Sequence, residues 1–387
     1  MKLSYNWIKR YWNTDQINSP EEYISKLNNC GLTLEKTTHL YAKDGKVSED
    51  DIVWDIDLPE YRDDLLCMMW NAKESCGMFQ RKYGYDTCYY GVKSPSFEWT
   101  KGAIDERHNL FHSLTAHSYT DSCDYILAQY IGSVDPKGKL HDFIKDQVYV
   151  LGFDHTNIFE AISVYCARNC GCPLYIFDAN KIVDAEFSVK NAKEEGYITY
   201  NAKKYSYEKG DIVFVTGNKV FGIGGVIFDD EYMADENTDK VIIASANIDK
   251  KVVKKFENKL GVKTFNSLMS SYGSNPKSIE KIVGNATSYL FECASADKIE
   301  NQTVMCKTDL QRRYIKVSVS KINQILGSNL SYEQIAKALE KAEVLALDPD
   351  DQKESFFVKL TSYNRDIDEC DLANRLINYL GHDIIGN

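Results

Sequence analysis

The sequence lacks any apolar run approaching the length of a membrane span, and its N-terminus, Met1-Lys2-Leu3-Ser4-Tyr5-Asn6-Trp7, has no signal-peptide core. A cytoplasmic protein with no membrane contact is expected. It also lacks a cationic excess: 46 Lys and Arg stand against 57 Asp and Glu, for a net charge of −11. Proteins that grip nucleic acid alone draw most of their affinity from neutralised phosphates, so this balance argues against tight autonomous binding. Lys251, Lys254 and Lys255 read as a solvated helix face, and Arg312-Arg313 is a weak pair. The 11 cysteines are odd in number and scattered, which excludes a disulfide framework as the default. Cys166, Cys170 and Cys172 cluster, but no second pair at zinc-ribbon spacing and no sequence-adjacent histidine completes a cage. They are expected to be buried thiols. There is no serine–histidine–acid arrangement, phosphate loop, adenylate-forming motif, internal repeat or low-complexity tract.

What is present suits a globular chain: 387 residues, 43% hydrophobic and 27% charged, enough for two or three domains. Near the N-terminus Trp7, Ile8, Tyr11 and Trp12 fit one helical face. Ser19-Pro20-Glu21-Glu22 is a capping-box start with proline at the first helical position, and that helix is expected to end at Gly31. Residues 38–51 read as a polar loop, Ile52 to Ile56 as a strand and Leu65 to Met78 as a helix. A polar, proline-containing stretch, Gly91 to Arg107, reads as a linker. Mixed α/β patterning follows. Strands are expected at Tyr125–Ile131, Ile212–Val215 and Val241–Ile243, and helices at Phe143–Leu151, Phe159–Arg168, Lys251–Leu260 and Ser278–Phe291. The last segment reads as strand, helical turn, a capping-box helix from Ser331-x-x-Gln334, strand and closing helix. The fold class expected is α+β in three modules: 1–95, 96–308 and 309–387.

The most informative run is Gly171-Cys172-Pro173-Leu174-Tyr175-Ile176-Phe177-Asp178-Ala179-Asn180-Lys181-Ile182. It resembles Gly-Gln-Pro-Leu-His-Ala-Phe-Asp-Ala-Asp-Lys-Ile of the bacterial phenylalanyl-tRNA synthetase β chain, in the module that hydrolyses tyrosine wrongly attached to phenylalanine tRNA. Other blocks follow the same family's order. Asp57 to Leu66 resembles Asp-x-Thr-Pro-Asn-Arg-x-Asp-Leu-Leu, and Gly222 to Ile227 resembles the Leu-Ala-Gly-Val-Met-Gly-Gly turn. Ala244 to Asp249 resembles Glu-Ser-Ala-x-Phe-Asp, and Leu260 to Thr264 resembles Leu-Gly-Leu-Arg-Thr. At the C-terminus, Thr361 to Ile367 and Tyr379 to Ile385 are similar to the small module after the editing module. The resemblance implies an N-terminal module without the inserted tRNA-binding barrel, an editing-type domain and a small following module, with the family's remaining domains absent: a truncated β-chain-like protein.

The same resemblance locates an editing pocket and shows where its residues differ. The family's histidine falls on Tyr175, its glutamate on Ala244, its turn glycine on Phe228 or Asp229, and its threonine on Thr264. Pro173, Gly224 and Gly225 would complete a substrate-binding surface with Tyr175 and Thr264. Editing is ester hydrolysis, which needs a positioned water and donors for the developing oxyanion. Alanine supplies neither, and tyrosine, with a pKa near 10, is a poor general base at neutral pH. The family's magnesium-associated acids reduce here to Asp366 and Asp371, with Asn374 and Arg375 in place of the paired glutamates. That is a poor hard-cation site, so no cofactor is expected, and magnesium enters only through the resemblance. Asp371 is expected to cap the closing helix. His108, His112, His117, His141 and His155 carry no spacing that recommends any of them.

The leading expectation is a non-catalytic binding or accessory protein related to tRNA aminoacylation, with a degraded editing pocket. One alternative is a free-standing hydrolase of tyrosyl-tRNA carrying the phenylalanine anticodon, rebuilt around Thr264 and Tyr175. Another is a docking partner that uses no pocket. The partners implied are tRNA or an aromatic amino acid, and a synthetase α chain or another protein.

Overall fold

A computed structural model of the chain describes residues 1–11, 19–29, 32–58, 62–78, 114–154, 157–271, 276–297, 299–307, 314–341, 344, 346–359 and 368–380. The chain divides into two compact units, one of Met1–Cys88 with Gln311–Asn387 and one of Tyr89–Leu310. Among the described residues both units mix helices with small, almost wholly antiparallel sheets, so the fold class is α+β.

The first unit opens with β1 (Lys2–Ser4), α1 (Tyr5–Lys9), α2 (Pro20–Asn29), β2 (Thr33–Leu40), β3 (Asp51–Asp57) and α3 (Met68–Met78). Ser4 caps α1 by accepting from the Trp7 N–H, and its hydroxyl donates to Asp51 at 2.6 Å. The strands form an antiparallel sheet in the order β1-β3-β2. Ser19 caps α2 as its motif predicts, accepting from the Glu22 N–H, whereas Trp12, Gly31 and the 91–107 stretch lie outside the described residues. The loop expected from Thr38 begins later, because β2 runs through Leu40. It is an edge strand with most side chains in water, so it needs no apolar alternation.

The second unit contains β4 (Thr115–Ser118), β5 (Cys123–Ile131), α4 (Asp142–Val150), α5 (Ile158–Cys170), β6 (Tyr175–Asp178), β7 (Glu186–Asn191), β8 (Gly196–Tyr200), β9 (Lys203–Tyr207), β10 (Ile212–Thr216), β11 (Lys219–Ile223), β12 (Ile227–Phe228), β13 (Val241–Ile248), α6 (Lys250–Leu260), α7 (Phe265–Ser271), α8 (Pro276–Cys293) and β14 (Ile299–Cys306). A four-stranded sheet runs β14-β5-β13-β6 and a five-stranded one β12-β11-β10-β7-β4, in which only the β4–β7 pair is parallel. Side chains alternate across each strand. Thus Ile242, Ala244 and Ala246 of β13 and Tyr175 and Phe177 of β6 face the second sheet, where Phe187, Phe214, Phe221 and Phe228 complete an aromatic-rich core. Helices α5 and α8 pack against each other, and α8 covers β13 and β5.

The first unit is completed by β15 (Tyr314–Ser318), α9 (Val319–Leu326), α10 (Tyr332–Lys341), β16 (Ala346–Leu347), β17 (Ser355–Lys359) and α11 (Glu369–Leu380), with sheet order β15-β17-β16. The Ser331–Gln334 capping box forms in both directions: Ser331 Oγ accepts from the Gln334 N–H and Gln334 Oε1 from the Ser331 N–H. Helix α11 starts two residues before the expected Asp371. Asp368 supplies the cap, accepting from the Asp371 N–H at 2.9 Å, and Asp371 returns the bond to the Asp368 N–H. Among the described residues no helix is long and apolar enough to cross a membrane.

Candidate functional site

The Gly171–Ile182 run begins at a helix stop. Helix α5 is capped at its N-terminus by Asn157, whose Oδ1 accepts from the Glu160 N–H, and ends at Gly171 in the left-handed conformation (φ 71°). That conformation suits a residue without Cβ and turns the chain sharply toward β6. Ser245 Oγ donates to Pro173 O at 2.6 Å. The Asn266 side chain then treats Leu174 as a second amide: its Oδ1 accepts from the Leu174 N–H at 3.0 Å and its Nδ2 donates to Leu174 O at 2.8 Å. Ser163 Oγ adds a further donor to Leu174 O. The start of β6 is therefore fastened to α5, β13 and α7 before Tyr175 is reached.

Tyr175 is 1% exposed. Its hydroxyl donates to Gly225 O at 3.2 Å, and its ring lies 4.5 Å from Phe228 and 6.0 Å from Phe177. Burial pushes its pKa well above the usual tyrosine value, so it holds its proton at any physiological pH. Ala244 is the Cα partner of Tyr175 across the β6–β13 pair and is also buried. Phe228 packs against Tyr175, Phe214, Phe177 and Phe221. Where the resemblance places the family's histidine and glutamate, the chain carries the buried ring of Tyr175 and the buried methyl group of Ala244.

Thr264 caps α7. Its Oγ1 accepts from the Ser267 N–H at 3.0 Å while donating to Val226 O at 2.7 Å, and Ser267 Oγ accepts from the Thr264 N–H. Asp229 is likewise occupied, accepting from the Thr199 N–H at 3.0 Å and from the Glu231 N–H. Gly224 and Gly225 are both left-handed (φ 59° and 70°), and a Cβ on Gly224 would come within 2.4 Å of the Phe256 ring. These two glycines shape the β11–β12 turn that presents Gly225 O to Tyr175.

A cavity of about 360 Å³ opens over this region, a size suited to a small organic ligand. Tyr175, Phe228 and Thr264 lie on its wall, with Phe153, Phe159, Phe265, Asn266 and Tyr200. Pro173, Gly224, Gly225, Asp229 and Ala244 are not among the described lining residues. Two lining acids were not singled out by sequence. Glu160, in the first turn of α5, is exposed, yet enough protein surrounds its carboxyl that desolvation raises its pKa. Asp230 accepts from the backbone N–H groups of Asn201 and Ala202 at 3.1 and 3.2 Å. Both residues are left-handed in the β8–β9 turn (φ 48° and 57°), so the carboxylate holds a strained turn that swings Tyr200 over the cavity. The pKa of Tyr200 is raised by burial and then by the fields of Asp230 and Glu160. Lys and Arg are absent from the described lining residues.

Residues 122–295 match the B3/4 domain family. Among curated proteins, the phenylalanine–tRNA ligase β subunit of Fusobacterium nucleatum is 22% identical over 296 residues, covering 76% of this chain and 35% of the relative. The chloroplastic β subunit of Porphyra purpurea is 23% identical over 406 aligned positions, covering 98% of this chain and 52% of the relative. This chain is related to the phenylalanyl-tRNA synthetase β chain. It spans about a third to a half of the length of these curated relatives. Among solved structures, an N-terminal fragment of the phenylalanyl-tRNA synthetase β subunit from Pyrococcus horikoshii aligns with a TM-score of 0.49 and 12% identity, covering 98% of this chain and 99% of that one.

The remaining candidate residues lie elsewhere or outside the described part of this β-chain relative. His117 sits on β4 and His141 pairs with Glu292 at 2.9 Å, while His108, His112, His155 and Asp366 fall outside the described residues. Cys166, Cys170 and Cys172 are buried, with Asn285 Nδ2 3.4 Å from Cys170 Sγ. Among the described residues no group of three or more His, Cys, Asp or Glu is placed to hold a metal ion.

Proposed function

We propose that this chain serves tRNA aminoacylation as a non-hydrolytic binding or accessory protein. In this reading the B3/4 cavity is kept for a small aromatic ligand, while the editing chemistry is lost. One observation carries it: every hydroxyl proton remaining at the editing positions is spent on the fold. The Tyr175 hydroxyl is committed to Gly225 O, Thr264 Oγ1 is shared between Val226 O and the Ser267 N–H, and Ala244 has no polar side-chain atom. Neither hydroxyl can donate to a developing oxyanion without breaking a bond that holds the fold, and neither is a general base at neutral pH. The acidic lining and the net charge of −11 disfavour independent capture of tRNA, which favours a protein partner such as a synthetase α chain for delivery to the aminoacylation system.

The test is deacylation of tyrosyl-tRNA carrying the phenylalanine anticodon. The rate with protein is expected to equal the spontaneous rate. Turnover that disappears in Thr264→Ala but survives in the surface variant Lys251→Ala would overturn the proposal and establish a hydrolase.

A further inference from the structure

We propose that the cavity selects an aromatic primary amine, with its ammonium group held by Glu160 and Asp230 and its ring against Phe153, Tyr200 and Phe265, and that it rejects the same ring bearing a free carboxylate. This inference rests on the reading of the cavity as an aromatic-ligand site and adds the charge class of the ligand.

The walls provide the ring site. Phe153 and Phe265 meet edge to face at 5.6 Å, and neither is fully buried, so both offer ring surface to a guest. Tyr200 is half-buried beside them on the cavity wall. Phe159, Tyr175 and Phe228 are buried and line the same cavity. Aromatic faces carry negative potential and attract cations.

The charge balance decides the polar end. Two carboxylates line the cavity and no described lining residue is cationic. Helix N-termini are the positive features present. Each contributes about half an elementary charge at most, and both are already answered: α5 by the Asn157 cap and Glu160 in its first turn, and the short α7 by Thr264. Two full negative charges outweigh these capped dipoles, so an ammonium is favoured and a second carboxylate is repelled.

The two acids differ in readiness. Asp230 is fixed in its acceptor role by the Asn201 and Ala202 N–H groups. The Glu160 carboxylate makes no hydrogen bond or ion pair with another described residue, although neighbouring protein removes part of its hydration. A cavity-lining carboxylate whose partner in the fold is only a capped helix dipole gains from a cation brought by a ligand.

The experiment is calorimetric titration of the full chain with tyramine, N-acetyltyramine and tyrosine. Tyramine is expected to bind at least about tenfold more tightly than either competitor, as befits a charge-assisted contact. Glu160→Gln, with an unchanged melting temperature, is expected to weaken tyramine about tenfold and leave N-acetyltyramine within about twofold. Added salt should weaken tyramine alone. If tyramine and N-acetyltyramine bind equally, if tyrosine matches tyramine, or if Glu160→Gln changes nothing, the ammonium site is refuted while the aromatic site stands. If no probe binds the folded chain, the aromatic-ligand reading falls with it.

Discussion

Tyr175 separates a structural from a catalytic account most sharply. Tyr175→Phe removes one oxygen and leaves the ring against Phe228, Phe177 and Phe214. The hydrogen bond lost is the rather long one of 3.2 Å to Gly225 O, together with a weaker interaction between the hydroxyl and the Ser270 side chain. A neutral hydrogen bond is worth a net ~0.5–1.5 kcal/mol, and the length of this one places the expected loss near ~1 kcal/mol. For a unit of this size that corresponds to about 2–4 °C in melting temperature. Tyr175→Ala removes the ring from the middle of the aromatic core and should cost about 3–5 kcal/mol, at or beyond the level that threatens folding. Tyr175→His should fall between, because a smaller polar ring replaces a buried apolar one opposite Ala244. The assay is urea and thermal unfolding of all three variants, run beside deacylation. A Tyr175→Phe variant of unchanged stability that loses a measurable deacylation rate would refute the reasoning. So would one as unstable as Tyr175→Ala.

Thr264→Ala should cost about 1–2 kcal/mol in urea denaturation through loss of the α7 cap, with Thr264→Ser close to wild type. Ala244→Glu places an unpaired carboxylate at a position 2% exposed, beside the aromatic cluster, and should lower stability by about 3–5 kcal/mol without producing hydrolysis. In the first unit, Arg62 and Glu74 form an ion pair at 2.7 Å with both side chains 2% exposed, so Glu74→Ala should cost about 3–5 kcal/mol by the same denaturation measurement. Glu333 is bonded to Lys353, which holds its carboxyl down to about 2. A depressed acid stabilises the fold above its unfolded pKa, and that contribution is lost as pH falls through about 2. The pair is fully exposed and its effect on stability is small, so the check is an NMR titration in which Lys353→Ala returns Glu333 toward the ordinary carboxylate range.

Elements with strong local signals were legible in the sequence: α5 from its periodicity and Gly171 stop, α10 from its capping box, and β5 and β13 from continuous apolar runs. β2 was not, because an edge strand in water keeps its backbone pairing without an apolar face. Asp371 was misplaced by three residues as the cap, since Asp368 and Asp371 both satisfy the acid-at-start rule and only the helix boundary decides between them. The resemblance located Tyr175, Phe228 and Thr264, which meet at one cavity. Glu160, Asp230 and Tyr200 escaped notice because a first-turn acid, a turn acid and a strand tyrosine are each ordinary locally. Their joint role exists only once α5, the β8–β9 turn and the segment after β12 converge.

The differences at the editing positions are coupled by packing. Cross-strand partners hold their Cβ atoms about 4.5–5.5 Å apart, so a large ring at Tyr175 calls for a small neighbour at Ala244. Once Tyr175 is there, Phe228 extends the same ring cluster, and the bare Gly222 opposite it is required, since a Cβ there would meet the Phe228 ring at 2.6 Å. Restoring one family residue alone therefore inserts a polar group into an apolar cluster or leaves a void. The cavity shares this constraint only where Tyr175, Phe228 and Thr264 line it. Its ring-bearing walls, Phe153, Tyr200 and Phe265, and its acids, Glu160 and Asp230, lie outside the set of exchanged positions. Under the proposed function, most of the ligand-binding surface therefore rests on residues other than the degraded editing positions, with Tyr175, Phe228 and Thr264 shared between the two.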